Sequence, residues 1–473
     1  MSSFHRSKLA TATLAAATLV AFAGLHGCGD DVSPAPPVVD EGKFGSMVDV
    51  DEFNIAPQAL PVEALRVPPG PISIKSSHLL TNTPAVAQQG TADSPGSPGS
   101  CEAQSFGYGL GSYTAARNPD GSIKWDAAQP GNEMSAAYQF ALAIKDGFAT
   151  CSVGKALPYL SRMIGYGSPT TADVPYQPLC SYFASIDLNK TWPDAKRLRI
   201  GSFATFNISN PDALALIKGY LANDQAVAFS GAVFKSYGKS VAVTDGVFYD
   251  VAANLIPNSG HGQLIVGYDD TLGTPGKTGA LLVQNSFGTD WPPKGSGSTA
   301  PPGKLYWSYD TFTVSQKLMA VAYPFDPSPP SGTMLTASAS TAPVGSIERA
   351  FQWAPSTDAA YLVLMHHFAD AVRITGVTVK EPAPGADIAT GKYGQYISSG
   401  YTYLRRTDGK QFLAGTYQVS IAATTLEGAA VSYTASVAVG HAEPAAPAAA
   451  SMSGAAGSLF DTLGSAVTPT TGN

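Results

Sequence analysis

Cys101, His261 and Asn285 are residue types that together could perform thiol chemistry. A nucleophilic thiol needs a base to take its proton, and that base needs a neighbour that fixes its ring. Cysteine, histidine and an amide side chain fill these three roles without a buried carboxylate. His261 lies between two glycines and runs into an apolar, strand-like segment, and no other histidine occurs between Cys101 and Asn285. The sequence therefore predicts nucleophilic catalysis if the fold brings these residues together.

The cysteine count points to Cys101 as the functional thiol. The chain contains 4 cysteines, and Cys28 ends an export signal. The other three would then lie in an oxidising compartment, where an odd number leaves one thiol without an intramolecular partner. Cys151 and Cys180 flank a helix-like stretch and a loop, so we predict a disulfide between them. Cys101 is then the remaining thiol.

The N-terminus has the pattern of an exported lipoprotein. Arg6 and Lys8 precede an apolar run, and the segment 1–27 ends just before Cys28. This junction resembles a bacterial lipobox, which implies lipidation of Cys28, a flexible tether at 28–60 and anchoring to a membrane of the cell envelope or the cell surface. The alternative is an uncleaved membrane anchor, since the apolar run is near the lower length limit for a span.

Composition bounds the remaining possibilities. The chain has 473 residues, of which 44% are hydrophobic and 13% charged, so it can bury a core and divide into two or three compact units. The net charge is −7, and the sequence contains no cluster of basic residues that could hold phosphates. We therefore exclude nucleic acid as a partner. The adjacent histidines His366 and His367 point to opposite faces of a predicted strand and cannot share one ion. We therefore predict neither a metal nor another cofactor.

Periodicity predicts an α+β domain over 61–325. Cys101 begins a glycine-rich helical pattern that we expect to be buried, with Ser100 as its N-cap. Further predicted helices and then strands follow, and the order suggests a helical lobe before a β lobe. The predicted helices are 134–145, 154–164 and 211–223, and the predicted strands are 226–233, 246–251, 262–268, 280–285, 304–308 and 318–323.

The C-terminal third predicts a separate all-β unit. Residues 326–333 are rich in proline and serine and read as a linker. Six strand candidates within 334–440 predict an immunoglobulin-like β-sandwich, which is a candidate binding unit for protein or polysaccharide. The predicted strands are 334–340, 361–367, 372–379, 401–405, 415–423 and 431–439. The Ala/Pro/Ser-rich residues 441–473 have the composition of a disordered tail.

The chain resembles the papain-like cysteine proteases over roughly residues 85–325. Gly99-Ser100-Cys101 is similar to the nucleophile block of that family. His261 with its following strand and Gly267-Tyr268 resembles the histidine block, and Asn285-Ser286-Phe287-Gly288-Thr289-Asp290-Trp291 resembles the asparagine block. Gly303-Lys304-Leu305-Tyr306-Trp307 follows in the family's order. The resemblance implies a two-lobed papain-like fold.

The resemblance also implies a role for each matching residue. Cys101 would be the nucleophile, His261 the general acid and base, and Asn285 the residue that orients the histidine. Phe287 would shield the histidine–asparagine hydrogen bond, with Trp291 as the second aromatic residue of that block. The oxyanion hole would combine the Cys101 N–H group with a glutamine side chain. Gln89 is the first choice for this glutamine and Gln88 the second.

Several positions depart from the family pattern. Glu102 follows the nucleophile where the family has an aromatic residue, and it would oppose thiolate formation if it faced the thiol. It could instead point to solvent in the first helical turn. Pro98 replaces the usual half-cystine, and Pro95 stands where the oxyanion glutamine is usual, so using Gln89 requires a loop insertion. Residues 43–87 lack the helical pattern of the family's inhibitory propeptide.

The expected function is hydrolysis of peptide bonds in a peptide or protein substrate by an extracytoplasmic cysteine endopeptidase. A second hypothesis is a catalytically inactive papain-like domain that acts with the sandwich as a surface binding or adhesion module. A third is a transferase or amidase that uses the same triad.

Overall fold

The computed structural model describes residues 98–324 almost continuously and the C-terminal third as strands. The described residues are 46–47, 73–90, 98–195, 198–206, 212–238, 241, 243–257, 259–324, 336–338, 347–353, 361–368, 372–380, 393–398, 401–406, 415–425 and 429–439. The predicted signal segment, Cys28, most of the tether, the 326–333 linker and the 441–473 tail lie outside them. Across these described stretches, no helix has the length and apolar character needed to cross a membrane.

The helices are short and concentrate before the main strands. Three of them fall where helical periodicity predicted them, with ends displaced by up to three residues. Their bounds are α1 Ala103–Leu110, which is π-helical, α2 Gly111–Ala115, α3 Ala136–Lys145, α4 Leu157–Gly165, α5 Cys180–Ser185, α6 Leu188–Ala195, α7 Ala213–Ala222 and α8 Tyr309–Ser315, with a 3-10 turn at Ala252–Asn254.

The helix that carries Cys101 is buried along its length, as its glycines predicted. Cys101 and Glu102 are helical and lead into α1 and α2. A Cβ atom added at Gly111 would lie 2.3 Å from the Met163 sulfur, so glycine allows this helix to pack closely against α4. The Ser100 hydroxyl hydrogen-bonds the Tyr176 hydroxyl at 2.6 Å. The predicted capping bond from Ser100 is therefore replaced by a tertiary contact.

One mixed sheet forms the β part of the same region. Its strand order is β4-β10-β5-β7-β8-β9-β6, and β2 pairs with β7. The bounds are β2 Ser77–Leu79, β4 Ile200–Phe206, β5 Val227–Gly231, β6 Val247–Phe248, β7 His261–Thr274, β8 Lys277–Gln284, β9 Lys304–Ser308 and β10 Gln316–Pro324; a separate parallel pair joins β1 Ser46–Met47 to β3 Gly154–Lys155.

Two strands of this sheet, β2 and β4, were not predicted from the sequence. β4 pairs antiparallel with β10, a partner far along the chain. Its Ile-Gly-Ser-Phe-Ala-Thr-Phe sequence has small residues between the apolar ones, so alternation alone is weak there. β2 has three residues and pairs with β7. Neither strand could be predicted from local pattern because pairing with a distant segment defines both.

The C-terminal third contains two four-stranded antiparallel sheets. Their strand orders are β11-β18-β17-β14 and β12-β13-β16-β15. Six of the strands were predicted, whereas β12 and β15 were not. The bounds are β11 Thr336–Ser338, β12 Ile347–Trp353, β13 Tyr361–Phe368, β14 Val372–Lys380, β15 Tyr393–Ser398, β16 Tyr401–Arg406, β17 Gly415–Thr425 and β18 Ala430–Val439. The sandwich formed from two such sheets stays a prediction.

The described part of residues 73–324 is thus mixed α+β, with a few helices and one large sheet. α1 packs against β5 and β7 of the sheet. This packing places the N-terminal end of the Cys101 helix beside the first residues of β7. The candidate site lies at that junction.

Candidate functional site

Cys101 lies against the start of β7. The backbone N–H groups of Gly262 and Glu102 hydrogen-bond its sulfur. Ser105, one turn later, donates its hydroxyl to the Cys101 carbonyl oxygen at 2.8 Å. Since Gly262 directly follows His261, the structure brings the thiol and the histidine segment together.

The pairing of β7 with β8 brings His261 to Asn285. The two strands are antiparallel, with Leu264 opposite Gln284. The first residue of β7 and the residue after β8 therefore lie at the same end of the pair. The His261 Nε2–H group donates to the Asn285 Oδ1 atom at 2.8 Å. Both side chains are buried.

The side-chain amide of Asn285 has a defined orientation. Its Oδ1 atom also accepts the Ser286 N–H group at 2.7 Å. Its Nδ2 atom donates to the Tyr237 hydroxyl at 3.1 Å. Because a backbone N–H can only donate, the oxygen of the amide must be the atom that faces both Ser286 and His261.

Aromatic residues cover the histidine. The Phe287 ring stacks on the His261 ring with centroids 5.0 Å apart and an interplanar angle of 21°. Trp291 meets Phe287 edge-on at 5.8 Å, and its Nε1–H group donates to the Gly238 carbonyl at 2.9 Å. These rings exclude water from the histidine–asparagine bond, which strengthens it. Phe287 therefore packs directly on His261, and Trp291 packs on Phe287.

Gln89 is buried next to Ser286, the residue that follows Asn285, whereas Gln88 is exposed. The Gln89 backbone N–H donates to the Ser286 carbonyl at 2.8 Å. The Gln89 Oε1 atom accepts the Ser286 hydroxyl at 2.5 Å, so Nε2 is the end of the amide that can donate elsewhere. Tyr176 joins the Gln89 segment to the loop that precedes Cys101, since its hydroxyl donates to the Gln89 carbonyl at 3.1 Å and bonds Ser100.

Glu102 faces the interior and not solvent. Its side chain is fully buried, and its Oε1 atom accepts the Ser230 hydroxyl at 2.7 Å. Its Oε2 atom lies 2.9 Å from the position that a Cβ atom on Gly262 would take. The sequence left open whether this carboxylate points outward or inward. Packing of α1 against β5 and β7 directs it inward.

Burial and charge act against ionisation of the thiol. Burial raises the pKa of the Cys101 thiol well above its ordinary value, and the neighbouring Glu102 carboxylate raises it further. The N–H groups of Gly262 and Glu102 act in the opposite direction and do not outweigh burial. Burial and the Glu102 charge both favour the protonated thiol over the thiolate.

Replacing Glu102 by Gln is expected to shift thiol reactivity toward lower pH. The amide keeps the size of the side chain and its hydrogen bond to Ser230, but it removes the charge that raises the Cys101 pKa. A lower pKa keeps more thiolate at a given pH, so the acid limb of alkylation should move down by about one pH unit. The measurement is the rate of iodoacetamide modification of Cys101 against pH.

Glu133→Gln is the matched control for Glu102→Gln. Glu133 is also a buried carboxylate, and it bonds Tyr108 and the Ala85 N–H group away from the thiol. We expect Glu133→Gln to leave the alkylation profile in place. An unchanged profile in Glu102→Gln would contradict a direct effect of the Glu102 charge.

Cys151 and Cys180 form the predicted disulfide, with their Cα atoms 5.7 Å apart. Cys101 is present as a thiol. The Gly99 N–H group donates to the Cys151 carbonyl at 2.8 Å, so the bridge supports the loop that leads into the Cys101 helix. Where the chain is described, no group of His, Cys, Asp and Glu side chains is arranged to hold a metal ion.

Sequence reasoning missed several residues of the site. Tyr237 bonds Asn285, and Tyr176 bonds Gln89 and Ser100, but both tyrosines lie outside the motifs that drew attention. Gln263, which accepts from Tyr237, lies within the His261 segment but was given no role. Tyr176 follows a proline in a turn-rich stretch, and Tyr237 lies in a loop after β5. No periodicity or motif marks either one, and only their hydrogen bonds show their place.

The chain is similar to solved structures but matches no family model and no curated protein. Among solved structures, the chain is similar to the crystal structure of xylellain, a cysteine protease from Xylella fastidiosa, with a TM-score of 0.43 and 15% sequence identity. The match covers 62% of this chain and 99% of that chain. The functional assignment of the site therefore rests on its own geometry.

Proposed function

We propose that the protein is a papain-like cysteine endopeptidase that hydrolyses peptide bonds through Cys101, His261 and Asn285. The observation that carries the proposal is the joint geometry of these residues. The His261 Nε2–H group donates to the Asn285 oxygen at 2.8 Å. The Cys101 sulfur accepts from the backbone N–H group of Gly262, the residue that follows His261. A base with a fixed ring beside a thiol at a helix start is the arrangement that acyl transfer needs.

In the proposed reaction the Cys101 sulfur attacks the carbonyl carbon of a substrate peptide bond. The Asn285 bond uses Nε2 of His261, so the thiol proton passes to Nδ1. The developing oxyanion is held by the Cys101 N–H group and by Nε2 of Gln89. His261 then donates the proton to the departing amine and leaves a thioester. A water molecule, deprotonated by His261, attacks the thioester and restores the thiol.

The environment favours general-base catalysis over a resting ion pair. A raised thiol pKa keeps the proton on Cys101 until substrate binds. His261 then removes the proton as the carbon–sulfur bond forms, which is a general-base role. The buried Glu102 charge also favours a positive charge on the nearby imidazole in that transition state. In this proposal Glu102 therefore opposes the thiolate but supports the imidazolium.

A second candidate is a catalytically inactive domain that acts as a binding module. Complete burial of Cys101 and the inward Glu102 carboxylate favour it. An amidase or transferase with the same triad is a further possibility that product analysis distinguishes. Peptide or protein substrates remain the first choice for the active form.

Labelling of the thiol tests the proposal. Wild-type protein incubated with a peptidyl chloromethyl ketone is expected to gain one label, which peptide mapping places on Cys101, and to lose hydrolysis of a denatured-protein substrate in parallel. The matched control is Cys101→Ser, which should show neither label nor turnover. Wild-type protein that shows neither label nor turnover would contradict the enzyme proposal and favour the binding module.

We also propose that the mature protein is an exported lipoprotein anchored through Cys28 to a membrane of the cell envelope or cell surface. The peptidase domain would occupy 61–325, and the sandwich at 334–440 would bind protein or polysaccharide. The support is the sequence pattern alone. Metabolic labelling with palmitate should mark wild-type protein and not Cys28→Ser; equal labelling of both would refute the anchor.

A further inference from the structure

Tyr237 contacts Asn285 of the proposed triad, although it belongs to none of the sequence motifs. It lies in the loop after β5 and is 1% exposed. Its hydroxyl oxygen accepts the Nδ2–H group of Asn285 at 3.1 Å. It therefore contacts the opposite end of the amide whose oxygen holds His261.

The hydroxyl hydrogen of Tyr237 is committed elsewhere. It donates to the Oε1 atom of Gln263, a buried residue two positions after His261 in β7. A tyrosine hydroxyl has a single hydrogen to donate. Because Gln263 takes that hydrogen, the Tyr237 oxygen can only accept from Asn285. It can therefore bond the NH₂ end of the amide and not the oxygen end.

Aromatic packing keeps Tyr237 in place. Its ring lies 4.9 Å from Trp307, 5.4 Å from Phe248 and 5.4 Å from Trp291, measured between centroids. Edge-on and tilted contacts of this kind are favourable and leave the ring little room to turn. Burial also raises the pKa of Tyr237 well above its ordinary value, so the hydroxyl keeps its hydrogen.

We propose that Tyr237, held by Gln263, is a positioning residue that fixes the Asn285 amide with its oxygen toward His261. The proposal rests on the proposed peptidase function for its effect on turnover, but not for its effect on the imidazole. An inverted amide would place an NH₂ group against the His261 Nε2–H group, so two donors would meet. The Ser286 N–H bond opposes that inversion from one side of the amide, and the Tyr237 bond opposes it from the other.

Tyr237→Phe tests the proposal because it removes the hydroxyl and keeps the ring. We expect kcat to fall by about tenfold, the scale of one lost hydrogen bond to a buried polar group, with KM nearly unchanged. The pKa of His261 should fall as well, because the Asn285 oxygen that accepts from the imidazolium is held less firmly without the Tyr237 hydroxyl. Histidine NMR titration measures that pKa without activity, with His261→Ala used to assign the signal. Tyr237, Cys101 and Glu102 are titratable groups packed around the His261–Gly262 segment, and only Tyr237 changes.

Two further variants separate positioning from general packing. Tyr138→Phe removes another buried tyrosine hydroxyl, for which the described residues offer no hydrogen-bond partner, and should leave kcat and the His261 pKa unchanged. In an Asn285→Ala background, Tyr237→Phe should cause no further loss of kcat, because its effect passes through Asn285.

The outcomes separate this proposal from the proposed function. A full tenfold loss in the Asn285→Ala background, or an unchanged His261 pKa in folded Tyr237→Phe, would overturn the positioning role. If wild-type protein shows no turnover but Tyr237→Phe lowers the His261 pKa, the positioning role stands and the peptidase proposal fails.

Discussion

Replacing His261 by Ala is expected to lower kcat/KM for peptide hydrolysis by about 10³-fold or more. The imidazole is the only group in the proposed reaction that takes the thiol proton and returns it to the leaving amine. Without it, the neutral Cys101 thiol has no base, and its raised pKa leaves little thiolate to react unaided. The measurement is steady-state kinetics on a fluorogenic peptide, with thermal unfolding of each variant to confirm the fold.

His261→Gln and His78→Ala complete this experiment. The Gln variant can still donate a hydrogen bond to Asn285 but cannot act as a base at neutral pH, so it should be as slow as His261→Ala. His78 is a partly exposed histidine on β2, bonded to Asp224 at 3.2 Å, and its removal should leave the rate unchanged. Loss of less than tenfold in both His261 variants would contradict the general-base role.

Replacing Gly262 by Ala is expected to remove activity almost completely by moving the nucleophile helix. A Cβ atom at this position would lie 2.4 Å from Ser105 Oγ, 2.9 Å from Glu102 Oε2 and 3.1 Å from the Cys101 carbonyl oxygen. Contacts this short require the buried Ser105 and Glu102 side chains to move, or the start of β7 to shift away from the helix, and we expect the shift because both side chains are buried. The move would break the Gly262 N–H bond to the sulfur. We expect at least a hundredfold loss in kcat/KM and a free energy of unfolding lower by about 1–3 kcal/mol.

Two variants calibrate the effect of Gly262→Ala. Gly131→Ala adds the same methyl group where a Cβ would meet nothing within 4 Å, so activity and stability should stay near wild type. Combining Gly262→Ala with Ser105→Ala removes the closest clash and should restore part of the stability. Wild-type kinetics in Gly262→Ala would show that the thiol and the histidine are not held together as this structure has them.

The secondary structure near the site was largely predictable because its signals are local. The period of the helix from Cys101, its glycines and the apolar run after His261 can each be read within a few turns of chain. The disulfide between Cys151 and Cys180 followed from counting in an oxidising compartment. β4 was missed because its strand character depends on pairing with β10, more than a hundred residues later.

The properties of the site also divide into local ones, which the sequence predicts, and long-range ones, which it does not. The sequence by itself determined the chemical types and their order: a thiol at a helix start, one histidine at a strand start and an amide after the next strand. These properties depend on neighbours in the chain. The aromatic cover by Phe287 was expected from the family resemblance and not from local pattern.

Only the tertiary structure decided how the environment acts on these groups. It turned Glu102 inward against Gly262, which raises the thiol pKa, and it placed Gln89 in contact with Ser286. It also brought Tyr237 onto Asn285. Each of these effects depends on a few ångströms between side chains from segments far apart in sequence. Hydrogen bonds and desolvation depend on such distances, and a linear pattern does not contain them.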